Sequence, residues 1–234
     1  MKRITMRYPD TLFSFLYGID EARFPRCIII SPFLPVKTMA QQFGGGCAFK
    51  GNLFEGCIGD GLAYVRTGIG ASLVRDALLA FQDRKRAVIF IGSAGGLGSL
   101  KIGDIFIAGE ARDWRGRYSP DAALKELFQS IAADTPVSTG AVYSLEAVLD
   151  GEEVFLKARE EEGVSACELE VAVFYRTASE RGLAALALLY ITDLPLERRF
   201  WEERTEVEAA SIAGAKKKLF SIIQKTCMRF SEEH

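Results

Sequence analysis

Apolar runs alternate along the chain with segments in which apolar residues recur at helical spacing. The apolar runs predict buried strands at residues 27–30, 62–65, 88–91, 105–108, 137–144 and 183–191. The helical periodicity predicts amphipathic helices at residues 71–81, 119–131, 171–182 and 206–230. This alternation of strands and helices predicts a layered α/β domain.

The strand at residues 88–91 runs into a segment of small residues, Gly92-Ser93-Ala94-Gly95-Gly96, which an ordinary core strand does not need. We predict a tight turn here, because glycine lets the backbone approach a ligand and Ser93 adds a hydroxyl group. A turn that carries no chemistry is the alternative interpretation.

Four unusual segments each follow an apolar strand, at residues 31–35, 66–70, 92–96 and 192–193. In open α/β sheets, ligands bind beyond the carboxyl ends of the strands. If these strands are parallel neighbours, the four segments share one rim of the sheet. The sequence therefore predicts a ligand site at that rim.

Three carboxylates near these segments are candidates for chemistry. Asp193 follows a wholly apolar strand, where desolvation would raise its pKa and make it a usable general acid. A helix-capping role is the alternative for Asp193, although Pro195 two residues later fits that role poorly. Glu168 and Glu170 enter the helix at 171–182 at a spacing that points them to different sides. They could instead be first-turn acids that stabilise the helix dipole.

Composition and charge narrow the class of protein. The 234 residues, 49% of them apolar, fit one soluble domain over residues 1–234, with residues 1–24 as an N-terminal extension. A net charge of −2 does not favour nucleic acid as a partner, and no apolar run is long enough to span a membrane. We expect the lysines at 216–218 to form a solvated helix face.

The cysteines and the histidine bear on compartment and metal binding. Five cysteines without a C-x-x-C pair fit a disulfide framework poorly, so we interpret them as reduced thiols in a cytoplasmic protein. The sequence has a single histidine, the terminal His234, and we therefore expect no metal site. The N-terminus lacks the apolar core of a signal peptide.

Several motifs together resemble the nucleoside phosphorylase superfamily, which includes purine and uridine phosphorylases and the methylthioadenosine and futalosine nucleosidases. The matching segments are Thr67-Gly68-Ile69-Gly70, residues 88–97 with Lys101-Ile102-Gly103-Asp104, Ala166-Cys167-Glu168-Leu169-Glu170-Val171-Ala172, and Ile191-Thr192-Asp193. They occur in the family's order over roughly residues 27–225. The resemblance implies a three-layer α/β/α domain around a mixed, partly barrel-like sheet, and cleavage of the N-glycosidic bond of a nucleoside.

The resemblance also implies roles for individual residues. Asp193 matches the acid that protonates the departing base, and Glu170 matches the carboxylate that accepts hydrogen bonds from the ribose diol. Leu169 takes the place of a methionine beneath the sugar, and Val148 falls near an aromatic residue that stacks on the base. Glu168 belongs to the same motif and is placed with them in the substrate-binding set.

On the opposite side of the sugar, Ser93 and the backbone of Gly92 and Gly95 match the place where phosphate or water sits. Thr67, in the first matching motif, completes the predicted binding residues. No cofactor is expected beyond phosphate as a co-substrate. Family sites often border a neighbouring subunit, so the resemblance also implies a homo-oligomer, either a dimer or a hexamer.

The chain departs from the family on the nucleophile side. Phe90 and Pro35 stand where bacterial-type phosphorylases have arginines, and Lys37, Arg66 or Arg75 are candidates to compensate. The nucleosidases activate water with a glutamate in the first loop, and residues 31–37 contain no carboxylate. Each of the two mechanisms thus lacks its residue on the nucleophile side, and between them we expect a nucleoside phosphorylase. A hydrolytic nucleosidase, a non-catalytic nucleoside-binding module and an unrelated α/β fold are the alternatives.

Overall fold

The computed structural model of the protein describes residues 9–82, 86–150, 152–161 and 163–233. Within these residues, ten strands form one mixed sheet with helices on both faces. The strands are β1 (Cys27–Ser31), β2 (Cys47–Lys50), β3 (Glu55–Gly59), β4 (Leu62–Arg66), β5 (Ala87–Gly96), β6 (Ile105–Asp113), β7 (Gly116–Tyr118), β8 (Ser138–Ser144), β9 (Val164–Glu168) and β10 (Ala184–Asp193). The helices are α1 (Asp10–Tyr17), α2 (Val36–Gln42), α3 (Ala71–Ala80), α4 (Ala122–Ile131), α5 (Glu152–Glu160), α6 (Val171–Arg181) and α7 (Glu206–Glu233).

Part of the sheet closes into a barrel. The strand order is β10-β6-β8-β9-β5, and β5 pairs again with β10, so these five strands form a ring. From β5 the sheet continues outward through β1, β4, β3 and β2, while β7 pairs with β6. This mixed, partly barrel-like sheet confirms the fold class that the resemblance implied.

Apolar side chains on the two faces of the sheet make two separate cores. One core packs beneath α1, α3 and α6, and the other packs beneath α2, α4 and α7. A third, smaller cluster holds α5 against β8 and β9. The sheet thus lies between two helical layers, as strands with apolar residues on both faces require. No helix in the described ranges combines the length and the hydropathy that crossing a membrane would need.

The glycine-rich segment after residue 91 continues strand β5, so the predicted tight turn is wrong. The first half of β5 pairs with β1, for example Ile30 with Phe90, and its end pairs with β9 at Gly95 and Gly96. β10 runs beside nearly the whole length of β5. Small residues are needed here because neighbouring side chains come close: a Cβ on Gly92 would lie 2.6 Å from Cε1 of Phe90.

The strands that precede the four unusual segments are parallel neighbours. β1 is parallel to β4 on one side and to β5 on the other, and β5 is parallel to β10. Their carboxyl ends therefore lie along one edge of the sheet. This confirms the condition on which the predicted ligand site depended.

The described part of the N-terminal segment packs into a core. Phe13, Tyr17 and Phe24 are buried, and the Tyr17 hydroxyl donates a hydrogen bond to the carbonyl oxygen of Ala77 in α3 (2.9 Å). Residues 1–8 of the predicted extension lie outside the described residues. The division of the chain into one domain with an extension stays a prediction.

Two cysteines that lie far apart in the sequence are joined. Cys27 in β1 and Cys227 in α7 form a disulfide with a Cα–Cα distance of 5.5 Å, while Cys47, Cys57 and Cys167 are free. The interpretation of all five cysteines as reduced thiols is therefore wrong for this pair. Because 200 residues separate the two, only the packing of α7 on β1 brings them together.

Removing this bond should lower the stability of the fold. We expect Cys227→Ala to reduce the free energy of unfolding by about 2–5 kcal/mol, because the bond restricts the unfolded chain over a long loop. Denaturant titration without reductant measures the change, and Cys47→Ala, which removes an exposed free thiol, is the control. Alkylation of the denatured, unreduced protein should modify only the three free cysteines. Modification of all five would contradict the disulfide.

Candidate active site

A cavity of about 470 Å³ opens at the carboxyl ends of the parallel strands. This volume lies within the range of roughly 300–1,000 Å³ that small-molecule sites occupy. The lining comes from all four segments singled out in the sequence, through Pro32 and Phe33, Ile69, Ser93 to Gly95, and Thr192 with Asp193. The edge predicted to bind a ligand therefore carries a cavity large enough for one.

Most of the predicted site residues lie together in this cavity. Those that line it are Ser93, Gly95, Val148, Glu168, Leu169, Glu170 and Asp193. Gly92 and Thr67 do not line it. Gly92 packs beside Phe90 and Leu189, and Thr67 is buried, with its N–H donating to the carbonyl oxygen of Ser31 at 3.1 Å.

Glu170 occupies the position just before α6 and is buried. Its Oε1 accepts a hydrogen bond from the backbone N–H of Gly70 at 2.8 Å. Gly70 has a φ of +120°, which L side chains rarely adopt, so the Gly-Ile-Gly loop is shaped to present this N–H. Burial raises the pKa of Glu170, and the hydrogen bonds it accepts oppose that shift.

Glu168 ends strand β9 and does not enter the helix, so the expectation that both glutamates open the helix is wrong for it. Its Oε2 accepts hydrogen bonds from the N–H groups of Glu170 and Val171 (2.8 Å for Val171). Its Oε1 accepts one from the Ser144 hydroxyl, whose oxygen in turn accepts from the Ala172 N–H at 2.9 Å. Glu168 thus caps the start of α6 from the end of β9, the strand that directly precedes this helix.

The same carboxyl has an unusual ionisation. Burial, and to a lesser extent the nearby Glu170 carboxylate, raise the pKa of Glu168 to about 8. The hydrogen bonds from Ser144 and the α6 backbone act in the opposite direction. Two buried carboxylates at the start of one helix repel each other when both are charged, so Glu168 keeps its proton to a higher pH.

Asp193 stands at the end of β10, half-buried in the cavity wall. Its Oδ1 accepts a hydrogen bond from the Thr192 hydroxyl at 2.9 Å. Burial raises the pKa of Asp193, whereas Thr192 and the positive charge of Arg204 lower it. An aspartic acid that keeps its proton to a higher pH can donate that proton to a leaving group.

Gly95 fixes where the Asp193 carboxylate can lie. The two residues are register partners on β5 and β10, after an irregularity between Ile191 and Asp193. A Cβ on Gly95 would lie 2.5 Å from Cγ of Pro195 and 3.2 Å from Oδ2 of Asp193. The absence of a side chain at position 95 therefore lets Asp193 rest against the backbone of β5.

The residues that line the cavity and were missed in the sequence include Tyr190, Arg204 and Lys216. Nζ of Lys216 lies 4.9 Å from the ring centroid of Tyr190. The predicted solvated face is therefore wrong for Lys216, which is half-buried, while Lys217 and Lys218 are exposed. The signal was its four-residue spacing from Ile212, which places both side chains on the inward face of α7.

The cations considered in the sequence as replacements for the family's arginines do not line the cavity. Arg66 pairs with Glu55 at 2.9 Å, and Arg75 pairs with Glu180 at 3.0 Å. Lys37 is exposed on α2. Within the described ranges, no group of three or more histidine, cysteine or acidic side chains is arranged to hold a metal ion.

Comparisons with known proteins agree with this architecture. The family model of the phosphorylase superfamily matches residues 34–225. A search of the curated proteins finds no match. Among solved structures, AMP nucleosidase from Bacteroides thetaiotaomicron is 17% identical, with a TM-score of 0.78, covering 96% of this chain and 97% of that one.

Two further solved structures belong to proteins with different activities. Uridine phosphorylase from Vibrio fischeri is 15% identical with a TM-score of 0.75, covering 90% of this chain and 94% of that one. The 5′-methylthioadenosine/S-adenosylhomocysteine nucleosidase from Campylobacter jejuni is also 15% identical, with a TM-score of 0.71, covering 88% and 99%. At such identities these likenesses establish the fold.

The capping role of Glu168 can be tested by two substitutions. Glu168→Ala should lower the free energy of unfolding by about 1–3 kcal/mol, because it leaves buried N–H groups of α6 without an acceptor. Glu168→Gln should cost less, since its amide oxygen can still accept. Denaturant titration compares both with Glu126→Ala on the exposed face of α4. An Ala variant as stable as the wild type would contradict the capping role.

The raised pKa of Glu168 also predicts a pH dependence of stability. Between the ordinary value of 4.5 and about 8, the folded protein holds this proton more tightly than the unfolded chain does. Its contribution to stability therefore falls as the pH rises through that interval. Glu168→Gln should flatten the decline, which urea titrations at several pH values between 5 and 9 would show. An unchanged slope would contradict the raised pKa.

Proposed function

The chain belongs to the phosphorylase superfamily, and from its site we propose that it cleaves the N-glycosidic bond of a nucleoside or a nucleoside-like metabolite. The observation that carries the proposal is that Asp193 and Glu170 line one cavity, together with Ser93. A half-buried acid and a buried carboxylate on the wall of one small-molecule cavity suit a substrate with a basic leaving group and a diol. The phosphorylases and nucleosidases of similar fold support the same class of reaction.

Asp193 acts on the departing base. As the bond between C1′ and the base nitrogen breaks, its electron pair moves onto the base, which then needs a proton or a hydrogen-bond donor. A carboxyl group whose pKa is raised by burial supplies that proton. Gly95 leaves the space in which the carboxyl group stays close to the cavity.

Glu170 binds the sugar. A carboxylate offers about four acceptor positions, and the Gly70 N–H uses one of them. The remaining positions can accept from both hydroxyls of a ribose, which fixes the ring while positive charge develops at C1′. Leu169, next to it in the lining, supplies an apolar surface beneath the ring.

The nucleophile enters from the side of Ser93 and the β5 backbone. With phosphate, a new bond from a phosphate oxygen to C1′ gives a pentose 1-phosphate and the free base. With water, the products are a free pentose and the base. We place phosphorolysis first, with hydrolysis as the second candidate, because residues 31–37 hold no carboxylate to activate water.

Asp193→Asn should lower kcat by about 10²- to 10⁴-fold, because the amide cannot donate the carboxyl proton. Glu170→Gln should lower kcat/KM, because a ribose hydroxyl would lose a charged acceptor. Release of free base from a panel of nucleosides, with and without phosphate, measures both. Glu197→Gln, an exposed position in the segment after Asp193, is the control.

A wild-type protein that binds nucleosides tightly but releases no base would instead be a nucleoside-binding module. An Asp193→Asn variant with the wild-type rate would exclude Asp193 as the acid.

The pH dependence of kcat gives a separate check on this role of Asp193. Because Asp193 must be protonated to act, kcat should fall as the pH rises through its raised pKa, and the Asn variant should lose that limb.

We also infer that the protein is a homo-oligomer, a dimer or a hexamer. Exposed apolar side chains lie at the mouth of the cavity, where Val148 and Phe200 are each 42% exposed and Trp201 is 57% exposed. A cluster of this kind is typical of an interface. Light scattering coupled to size-exclusion chromatography should give a multiple of the chain mass, and Trp201→Glu should shift it towards the monomer. A monomeric wild-type protein would contradict this inference.

A further inference from the structure

We propose that Lys216, Arg204 and Tyr190 form a binding site for a phosphoryl group on the Ser93 side of the cavity. The proposal rests on the proposed function, because it assumes that a nucleoside binds in the same cavity as the phosphoryl group. It is made by residues of β10 and α7 and of the segment between them, and no motif of the sequence pointed to it.

No acidic side chain in the described part of the chain lies within ion-pair distance of either cation, although the charge of Arg204 lowers the pKa of Asp193 and of Glu208. Among the described residues, neither Lys216 nor Arg204 forms an ion pair, whereas Arg198 in the same segment pairs with Glu208 at 2.7 Å. Lys216 is half-buried, and its Nζ lies over the Tyr190 ring. Burial and the positive charge of Arg204 both lower the pKa of Lys216. An anion bound between the two side chains would offset this repulsion and desolvation.

Tyr190 supplies an independent observation. Its side chain lines the cavity and is 1% exposed, yet its hydroxyl oxygen has no hydrogen-bond partner in the described part of the chain. A buried hydroxyl without a partner costs free energy, and a ligand oxygen could accept its proton. An unsatisfied donor beside two cations that form no ion pair within the described ranges is the pattern expected of an anion-binding site.

The pairing of strands puts this group beside Ser93. Tyr190 and Ser93 are register partners on the parallel strands β10 and β5. Side chains alternate between the faces of a strand, so Ser93 shares the face of Ile89 and Ile91, which pack in the same core as Tyr190. The hydroxyl of Ser93 is thus available to the same anion, on the side from which the nucleophile enters.

A phosphoryl group suits these donors. Lysine binds phosphate as a point charge, and arginine can bind two of its oxygens with the fork of its guanidinium group. Two positive charges match the charge of a phosphate dianion. The phosphoryl group can come from free phosphate as the co-substrate or from a phosphate carried by the nucleoside.

The experiment compares three ligands on the full chain at constant ionic strength: inorganic phosphate, a nucleoside and the corresponding nucleoside monophosphate. Calorimetry measures their affinities for the wild type and for the variants Lys216→Met, Arg204→Met and Tyr190→Phe. Lys217→Met is the matched control, because it removes the same charge from the exposed neighbouring residue. Circular dichroism and thermal unfolding check that each variant is folded.

If free phosphate is the ligand, inorganic phosphate binds the wild type. Lys216→Met should then weaken binding about ten- to a hundredfold, and Tyr190→Phe about two- to tenfold, with Lys217→Met unchanged. If the phosphate is part of the substrate, the monophosphate should bind more tightly than the nucleoside, and Lys216→Met should remove that preference. Either result supports the site and identifies the source of the phosphoryl group.

The proposal is overturned if the wild type neither binds inorganic phosphate nor prefers the monophosphate. It is also overturned if folded Lys216→Met and Arg204→Met variants retain wild-type phosphate affinity. Release of base from a nucleoside in such a case would leave the proposed function intact. Conversely, phosphate binding that depends on Lys216 in a protein that cleaves no nucleoside would support the anion site while the proposed function fails.

Discussion

The pairing of β5 with β9 and with β10 is the constraint on which the rest of the structure depends. β5 carries small residues from Gly92 to Gly96, and this lets two strands and their following segments approach its end. β9 brings Glu168 at its end and Glu170 two residues beyond, and β10 brings Asp193. Any larger side chain at position 95 would push against Pro195 and Asp193, so close packing of backbone and not a flexible loop brings the acids together.

The three acidic residues that line the cavity differ in how many of their carboxylate oxygens accept hydrogen bonds from the protein itself. Both oxygens of Glu168 are engaged by the protein, so this residue supports the start of α6. One oxygen of Glu170 is held by the Gly70 N–H, and Oδ1 of Asp193 is held by Thr192. Groups left with unused hydrogen-bonding capacity are therefore on the cavity side, where a ligand can complete them.

Asp193 and Glu170 match the acids of the family that the sequence resembles, but the cations in the cavity match none of its motifs. The resemblance places Phe90 and Pro35 where the family's arginines are expected, and Phe90 is buried in the apolar core against Phe174. Lys216 on α7 and Arg204 before it line the cavity without forming an ion pair among the described residues, whereas Arg199, which also lines it, pairs with Glu152 at 3.5 Å.

Local pattern determined much of this protein. Apolar runs predicted the central strands, because strands that are buried on both faces carry apolar side chains on both, although the runs left open whether these strands are parallel. Asp193 and Glu170 were predicted as site residues from the motifs around them. Tertiary structure alone decided that the glycine segment is strand and that Cys27 meets Cys227. It also decided that Lys216, in a lysine run, faces Tyr190. Each of these depends on a partner distant in the chain, and local pattern carries no information about how elements approach one another.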